Sequence, residues 1–292
     1  MPEYQKTIGK KTCFSGMALQ TGQTVNMVCR PAEPDSGIVF KRTDISGNPL
    51  LVLSGAAVSA GGERRSTIGS GQRQIHTVEH FLAALWGLGV DNILVEIDAM
   101  ELPAMDGSAM GFLKPLKNSG ITEQGVPRRG IKITEPEIIK EGNSSLRIFP
   151  HDVFRVSYLI DYDVACVGKT VFEVDLDRRS FEKEIAPART FCLKKEAEAL
   201  LKAGLGAGAT LENTLVLDED GPVGTRMRFP DEPVRHKILD LVGDLYMLAR
   251  PIIGKVMAER SGHKLNAEMV KRIYEKYVKD CSTEDTEENR GH

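Results

Sequence analysis

Each half of this 292-residue chain has the same order of patterns: short alternating stretches, an amphipathic helix, a strand and a second helix. Alternation of apolar and polar residues, as in residues 24–29, is typical of a half-buried strand. Apolar residues spaced at i, i+3, i+4 and i+7 instead mark one face of a helix. The order therefore predicts an α+β protein built from two related units.

A segment without apolar periodicity separates the two units. Residues 118–130 contain glycine, proline and charged residues, so we predict a domain boundary there. The predicted N-terminal domain covers residues 1–122, and the predicted C-terminal domain covers residues 128–279. Residues 280–292 are polar and acidic, and we expect them to form a disordered tail.

Three predicted helices carry or border the residues that could bind a metal ion or take part in catalysis. The first begins near Ile75 and is ended by Gly87 and Gly89. Its apolar face consists of Val78, Phe81, Leu82, Leu85 and Trp86. The second follows Asp231, the expected N-cap, and its buried stripe consists of Val234, Ile238, Leu241, Leu245 and Leu248. The third is expected to start at Asn266 as its N-cap.

Composition excludes several classes of protein. The net charge of −3 gives no general attraction to nucleic acid or to an anionic membrane. The longest apolar run, residues 81–90, is half the roughly 20 residues that a membrane-spanning helix needs. The five cysteines are scattered and never spaced as CxxC, which argues against a disulfide framework and against a thiolate zinc site. No signal peptide is expected at the start, and we predict a cytoplasmic protein.

One helix face carries a possible metal-binding pair. His236 and Asp240 are four residues apart, so their side chains leave the same face of the second helix. Gly243 and Asp244 lie on the same stripe, and a glycine inside a helix suggests close approach by another part of the chain. Imidazole and carboxylate groups are normal zinc ligands. The alternative is a solvated helix face with a single His–Asp hydrogen bond.

Two further short stretches give only weak evidence of a metal-binding or catalytic site when each is considered alone. Glu79 and His80 are adjacent at the predicted start of the first helix, where acidic residues are common because of the helix dipole. If His80 binds a metal ion, Glu79 can act as a base on a bound water molecule. His263 follows a serine and a glycine in a turn, and turn histidines are often simply exposed.

Several stretches of the sequence, taken in their order along the chain, favour the metal-site interpretation of these residues. They are GQTVNMVCRPAEPDSGIVFKRTD, IHTVEHFLAALWGLGVDNILVEID, ELPAMDGSA, PARTF, GATLENTLVL, FPDEPVRHKILDLVGDLYML and ERSGHKLN. In order and spacing they resemble the zinc-dependent UDP-3-O-acyl-N-acetylglucosamine deacetylases, which commit precursors to lipid A. The resemblance extends from about residue 5 to residue 279, and it implies two domains, each a sheet packed on helices, with the active site between them.

The resemblance also assigns roles to residues. The ligands of one catalytic Zn²⁺ are His80, His236 and Asp240. Glu79 matches the general base, and His263 matches a charge-stabilising histidine whose carboxylate partner is Asp244. Thr190 matches a hydroxyl that helps to hold the reacting oxygen. Residues matching substrate contacts are Lys237, Phe191, Leu19 and Gly206.

The activity that the resemblance implies is hydrolysis of the acetamide of a UDP-linked, 3-O-acylated N-acetylglucosamine. Zinc lowers the pKa of bound water to about 7, which makes attack on an amide possible at neutral pH. Either Glu79 or His263 then protonates the leaving amine. The expected protein is a monomer that binds this sugar nucleotide and no nucleic acid. One alternative is a zinc deacetylase of another acylated amino sugar, and another is a non-enzymatic metal- or RNA-binding module.

Two departures from the family pattern concern the substrate. Gln20 stands where the family usually has histidine, which leaves local substrate contacts open. Gly206 and Ala207 stand where bulkier residues are general, in the segment that matches the acyl-chain passage. We therefore expect a wider passage there, lined by Leu193, Leu200, Leu201, Leu205 and Leu211.

Overall fold

The computed structural model of the chain describes residues 3–59 and 64–279. The predicted tail, residues 280–292, lies outside this range. The strands are β1 Tyr4–Ile8, β2 Thr12–Met17, β3 Thr24–Pro31, β4 Ile38–Arg42, β5 Leu50–Val52, β6 Thr67–Ile68, β7 Ile75–His76, β8 Ile93–Ile97, β9 Ile121–Pro127, β10 Ile131–Lys132, β11 Glu137–Glu141, β12 Ser144–Phe149, β13 Arg155–Asp161, β14 Lys169–Asp175, β15 Phe191–Leu193, β16 Leu215–Asp218, β17 Gly221–Pro222, β18 Ile252–Ile253 and β19 Lys255–Glu259. The α-helices are α1 Glu79–Leu88, α2 Met110–Asn118, α3 Arg178–Ser180, α4 Lys194–Lys202, α5 Glu232–Leu245 and α6 His263–Ile273.

Two five-stranded sheets have the same topology. Their strand orders are β2-β3-β8-β4-β5 and β11-β12-β19-β13-β14. In each sheet the last strand in sequence lies at the centre, parallel to one neighbour and antiparallel to the other. In each half, apart from inserted elements, four strands precede a helix, the central strand and a second helix. This confirms the prediction of an α+β protein made of two related units.

Helices cover one face of each sheet. In the first unit, α1 and α2 bury their apolar stripes against the sheet, and the Phe81 ring lies 6.2 Å from Phe40 and 5.4 Å from Phe112. In the second unit, α5 packs on β13, and α6 packs on β11 and β12. Helices α1 and α5 also pack against each other. The two helix layers therefore meet between the domains, where a site can draw side chains from both.

The first helix begins later than its apolar pattern predicts. Residues Ile75 and His76 pair with Ile68 and Thr67 in the β6–β7 hairpin, so they are strand rather than helix. Thr77 then adopts a left-handed conformation with φ of 57°. The helix starts only at Glu79, because a left-handed residue interrupts the helical path. Gly89 ends the helix in the left-handed conformation, as predicted, whereas Gly87 lies within the helix.

Two predicted helix caps differ in detail. Asp231 occupies the N-cap position of α5, but its carboxylate makes no cap hydrogen bond and instead accepts from Arg235 Nε at 2.6 Å. Asn266 is not the N-cap of the last helix, since α6 begins at His263 with Gly262 as its N-cap. The Asn266 side chain is buried in the first turn of α6 and forms hydrogen bonds with the interior.

The segment between the two halves contains regular structure. Residues Ile121–Pro127 form β9, which pairs antiparallel with β1 at the start of the chain. Within residues 3–59 and 64–279, none of the helices combines the length and apolarity needed to cross a bilayer.

Candidate metal centre and active site

Two histidines and one aspartate converge where α1 meets α5. His80 lies in the first turn of α1, while His236 and Asp240 lie one turn apart on α5. One potential ligand atom from each residue lies within 4.8 Å of the other two, and all three side chains are buried. The Nε2 atom of His236 is 3.1 Å from Asp240 Oδ1, and that of His80 is 3.6 Å from the same oxygen. Three donors of this kind, drawn from both domains, can hold one metal ion.

A glycine allows the two helices to approach this closely. A Cβ atom at Gly243 of α5 would overlap the backbone carbonyl oxygen of Glu79 and lie 2.7 Å from its carbonyl carbon. The predicted close approach at Gly243 is thus made by the start of α1. Since His236 and Asp240 are also buried at this junction, the alternative of a solvated helix face is wrong.

Neighbouring groups orient the three donors. The backbone carbonyl of Ala188 lies 3.1 Å from His236 Nδ1 and accepts its proton, which leaves Nε2 free as a ligand. Lys237 Nζ donates to Asp240 Oδ2 at 2.8 Å. Burial by itself raises the pKa of Asp240, but His236 and Lys237 outweigh it and hold that pKa well below its usual range. Burial lowers the pKa of His80. Both shifts favour the protonation states that bind a cation, namely carboxylate and neutral imidazole.

A carboxyl group and an imidazole lie beside the donors. Burial raises the pKa of Glu79 to about 8, the range that suits a general base near neutral pH. His263 Nδ1 is 2.8 Å from Asp244 Oδ2. Burial by itself lowers the pKa of His263, but the charge of Asp244 and its hydrogen bond outweigh this and raise the pKa to about 9. The imidazole is therefore held in its charged form at neutral pH.

Two residues that form hydrogen bonds with Glu79 or Asp244 were not found from the sequence. Ser66 N–H donates to Glu79 Oε2 at 3.1 Å, and Ser66 Oγ donates to Asp244 Oδ1. Asn266 Nδ2 donates to Asp244 Oδ2 at 2.8 Å. Ser66 lies in a stretch rich in Gly, Ser and Arg that has no periodic pattern, so no local signal marks it. Asn266 was singled out from the sequence because it lies near the start of a helix. That position predicted a helix cap and not a hydrogen bond to Asp244.

The donors and the acid–base pair line one cavity of about 340 Å³. The remaining predicted site residues Thr190, Phe191, Lys237, Leu19 and Gly206 also line it. The Phe191 ring is 6.2 Å from that of His236 and 5.6 Å from that of Tyr162. Thr190 is fixed through its backbone, because its N–H donates to the Gly107 carbonyl at 2.7 Å. Asp244 lies behind His263 and is fully buried.

The cavity wall contains the two departures from the family pattern. The side chain of Gln20 is buried, and its Oε1 accepts from the Gly206 N–H at 3.0 Å. Gly206 has a φ of +72°, a conformation that favours glycine, while a Cβ atom there would meet only Ala209 Cβ at 3.8 Å. The segment is thus a turn fastened to Gln20.

The predicted leucine lining is partly wrong. Leu193 and Leu200 line the cavity, whereas Leu205 is not among the residues of its wall. Leu201 and Leu211 are 59% and 45% exposed. Helix α4 turns only one face to the cavity, so adjacent Leu200 and Leu201 point in different directions.

A buried His₂Asp donor set with a carboxyl group and a charged imidazole beside it, in a cavity between two α+β domains, is the arrangement of a metal-dependent hydrolase. A family model described as UDP-3-O-acyl N-acetylglycosamine deacetylase matches residues 5–275. The chain belongs to this family.

Several named relatives are similar to this chain over most of their length. Three are named UDP-3-O-acyl-N-acetylglucosamine deacetylase. That of Bdellovibrio bacteriovorus is 38% identical over 272 residues, which cover 93% of this chain and 90% of the relative. That of Syntrophotalea carbinolica is 39% identical over 272 residues, 92% of this chain and 87% of the relative. That of Brucella melitensis is 38% identical over 275 residues, 94% of this chain and 96% of the relative.

Proposed function

We propose that this protein removes acetate from the acetamide of UDP-3-O-acyl-N-acetylglucosamine, the committed step of lipid A biosynthesis, and that it needs one Zn²⁺ ion. The observation that carries the proposal is the convergence of His80, His236 and Asp240 beside Glu79 and His263 in one cavity. This set would supply a cation site, a base and a protonated imidazole around a single cavity.

The donor set fits zinc. Two imidazole nitrogens and one carboxylate oxygen are a normal ligand set for a catalytic zinc site, which keeps a further position open. The hydrogen bond from His236 Nδ1 to the Ala188 carbonyl is the kind of outer contact that orients a ligating histidine. When bound, zinc would supply Lewis acidity to the amide carbonyl and to a water molecule.

The residues beside the donors would move the protons. Glu79 takes the proton of the attacking water through its carboxylate. Thr190 donates a hydrogen bond to the oxygen that becomes negatively charged. His263 keeps its charge through Asp244 and stabilises the same developing charge with Nε2–H. The leaving amine receives its proton from Glu79 or from His263.

Other cavity residues would hold the sugar nucleotide. Phe191 would pack beside the sugar, and Lys237 would contact a polar group of the substrate. Leu19 and the turn at Gly206 would border the 3-O-acyl chain. We also propose that the protein acts as a monomer in the cytoplasm, with domains that correspond to residues 1–122 and 128–279.

The decisive experiment is acetate release by the purified full chain with one equivalent of zinc. The substrate should be compared with its 3-O-deacylated form, with matched sugars that carry another nucleotide, and with N-acetylglucosamine without a nucleotide. We expect release mainly from the acylated UDP-sugar. Equal release from sugars without UDP would favour a deacetylase of another amino sugar. Stoichiometric zinc without any release would favour a binding protein.

A further inference from the structure

One buried serine, Ser66, contacts the three residues Glu79, Asp244 and His263. Ser66 lies immediately before β6 and is 3% exposed. Its backbone N–H donates to Glu79 Oε2, and its hydroxyl donates to Asp244 Oδ1. The same Oγ atom lies 3.1 Å from His263 Nδ1. Ser66 therefore joins the β6–β7 hairpin to the residues that would handle protons.

The hydrogen bonds around Asp244 determine which atoms carry protons. As a carboxylate, Asp244 only accepts: Oδ2 accepts from Asn266 Nδ2 and lies 2.8 Å from His263 Nδ1. His263 Nδ1 must therefore carry a proton. A serine hydroxyl has one proton, and Ser66 gives it to Asp244 Oδ1. A lone pair of Ser66 Oγ is then directed to the proton on His263 Nδ1.

These contacts form a closed ring in which every proton has an acceptor. We propose that Ser66 is a positioning residue that fixes the His263 ring with Nδ1 protonated and bound inside, so that Nε2 is the nitrogen left for the reaction. Its backbone N–H holds the Glu79 carboxylate at the same time. The kinetic part of this inference rests on the deacetylase function proposed above, whereas the orientation of the ring does not.

Ser66→Ala tests the hydroxyl alone, because the backbone N–H to Glu79 remains. Ser66→Thr keeps a hydroxyl and should restore most of what alanine removes. Thr67→Val is the matched control: Thr67 is the next residue, and its buried hydroxyl lies 2.9 Å from Nδ1 of His76, which is not one of the acid–base residues. All proteins are measured as the full zinc-loaded chain.

For Ser66→Ala we expect kcat to fall roughly 10- to 100-fold, the loss typical of a hydrogen bond to a charged group, with KM and zinc content unchanged. Nitrogen-15 spectra of the imidazoles, with His263 assigned by its absence in His263→Gln, should show a displaced His263 signal in Ser66→Ala. That signal should stay in place in Thr67→Val.

Three results would overturn the proposal: an unmoved His263 signal, a kcat within about threefold of the wild type, or an equal fall in Thr67→Val. Since the spectra need no substrate, they still decide the role of Ser66 if the wild type releases no acetate. Absence of acetate release from the wild type would instead count against the deacetylase function.

Discussion

Gly243 of α5 lies directly against the backbone carbonyl of Glu79 in α1, with no room for a Cβ atom between them. The contact sets the distance between the helix that carries His80 and the helix that carries His236 and Asp240. Because the metal donors come from both helices, packing between the domains and the geometry of the site depend on the same glycine.

Gly243→Ala should therefore damage both stability and metal binding. Overpacking of a tight interior typically costs about 1–3 kcal/mol of the free energy of unfolding, and backbone atoms cannot move aside as a flexible side chain can. Gly130→Ala is the control, since a Cβ atom there first meets the end of the Ile253 side chain at 3.3 Å. Urea unfolding and zinc titration should show losses only at position 243. Equal stability of the two variants would contradict this interpretation.

Removing any one metal donor should abolish stoichiometric zinc binding. His80→Ala, His236→Ala and Asp240→Ala each leave only two of the three ligands that a catalytic site needs. His151→Ala serves as a control. Within the described residues, the side-chain hydrogen bonds of His151 are only with the backbone of nearby Val153. Metal analysis after dialysis measures the outcome. One zinc ion per chain retained by His236→Ala would remove His236 from the ligand set.

Glu79→Gln should leave zinc and the fold in place but lower kcat by roughly 10²–10⁴-fold, the range for general acid–base catalysis. Glutamine has nearly the same shape and can still accept from Ser66 N–H, but it cannot take a proton. Glu196→Gln changes a carboxyl group on the wall of the same cavity and should have little effect. A Glu79→Gln protein with activity within about threefold of the wild type would exclude Glu79 as the base.

The dependence of rate on pH should be bell-shaped. His263 must keep its proton, and its pKa is raised to about 9, so activity should fall as the pH rises through about 9. Glu79 must lose its proton, and burial raises its pKa to about 8. The charge of a bound metal ion favours the carboxylate, so the acidic limb should lie below pH 8.

Because Glu79 and His263 are coupled, the midpoint of each limb is an apparent value and need not equal the pKa of one residue alone. His263→Gln should retain the acidic limb and lose the alkaline one, because glutamine does not titrate. Initial rates at saturating substrate, measured from about pH 5 to about pH 10, provide the test. A flat profile for the wild type over this range would contradict acid–base catalysis by Glu79 and His263.

The preference for an acyl chain should depend on Leu200 and not on Leu201. Leu200 lines the cavity, whereas adjacent Leu201 is exposed. Leu200→Ala removes three side-chain carbons, worth at most about 2.4 kcal/mol at about 0.8 kcal/mol each. It should therefore reduce kcat/KM for the long-acyl substrate by up to about 60-fold relative to the deacylated sugar nucleotide. Leu201→Ala should leave that ratio unchanged.

Gly206 lines the same cavity as Leu200, and its replacement gives a second test of acyl-chain preference. Its φ of +72° means that Gly206→Leu should lower the melting temperature through backbone strain. We also expect it to reduce turnover of longer or branched chains selectively. If kcat/KM across a series of chain lengths keeps its ranking, the glycine serves only the turn.

The sequence by itself determined the elements whose signal is local. The apolar stripes predicted α1 and α5, and alternation predicted β3, because burial of one face leaves a fixed period in the chain. The pairing of His236 with Asp240 was visible for the same reason, since both residues lie on one helix. Agreement of many ordered stretches with one family led to the prediction that His80 and Glu79 act together with this pair.

Only the tertiary structure decided what depends on contacts between distant segments. The start of α1 moved from Ile75 to Glu79 because β7 pairs with β6, a contact that periodicity does not encode. Ser66 reaches Asp244 across 178 residues, and Asn266 turns from a supposed cap into a donor to the same carboxylate. The equal topology of the two sheets was likewise hidden, because strand order is set by long-range pairing. A local pattern records which side of an element is buried, but not which residues meet it there.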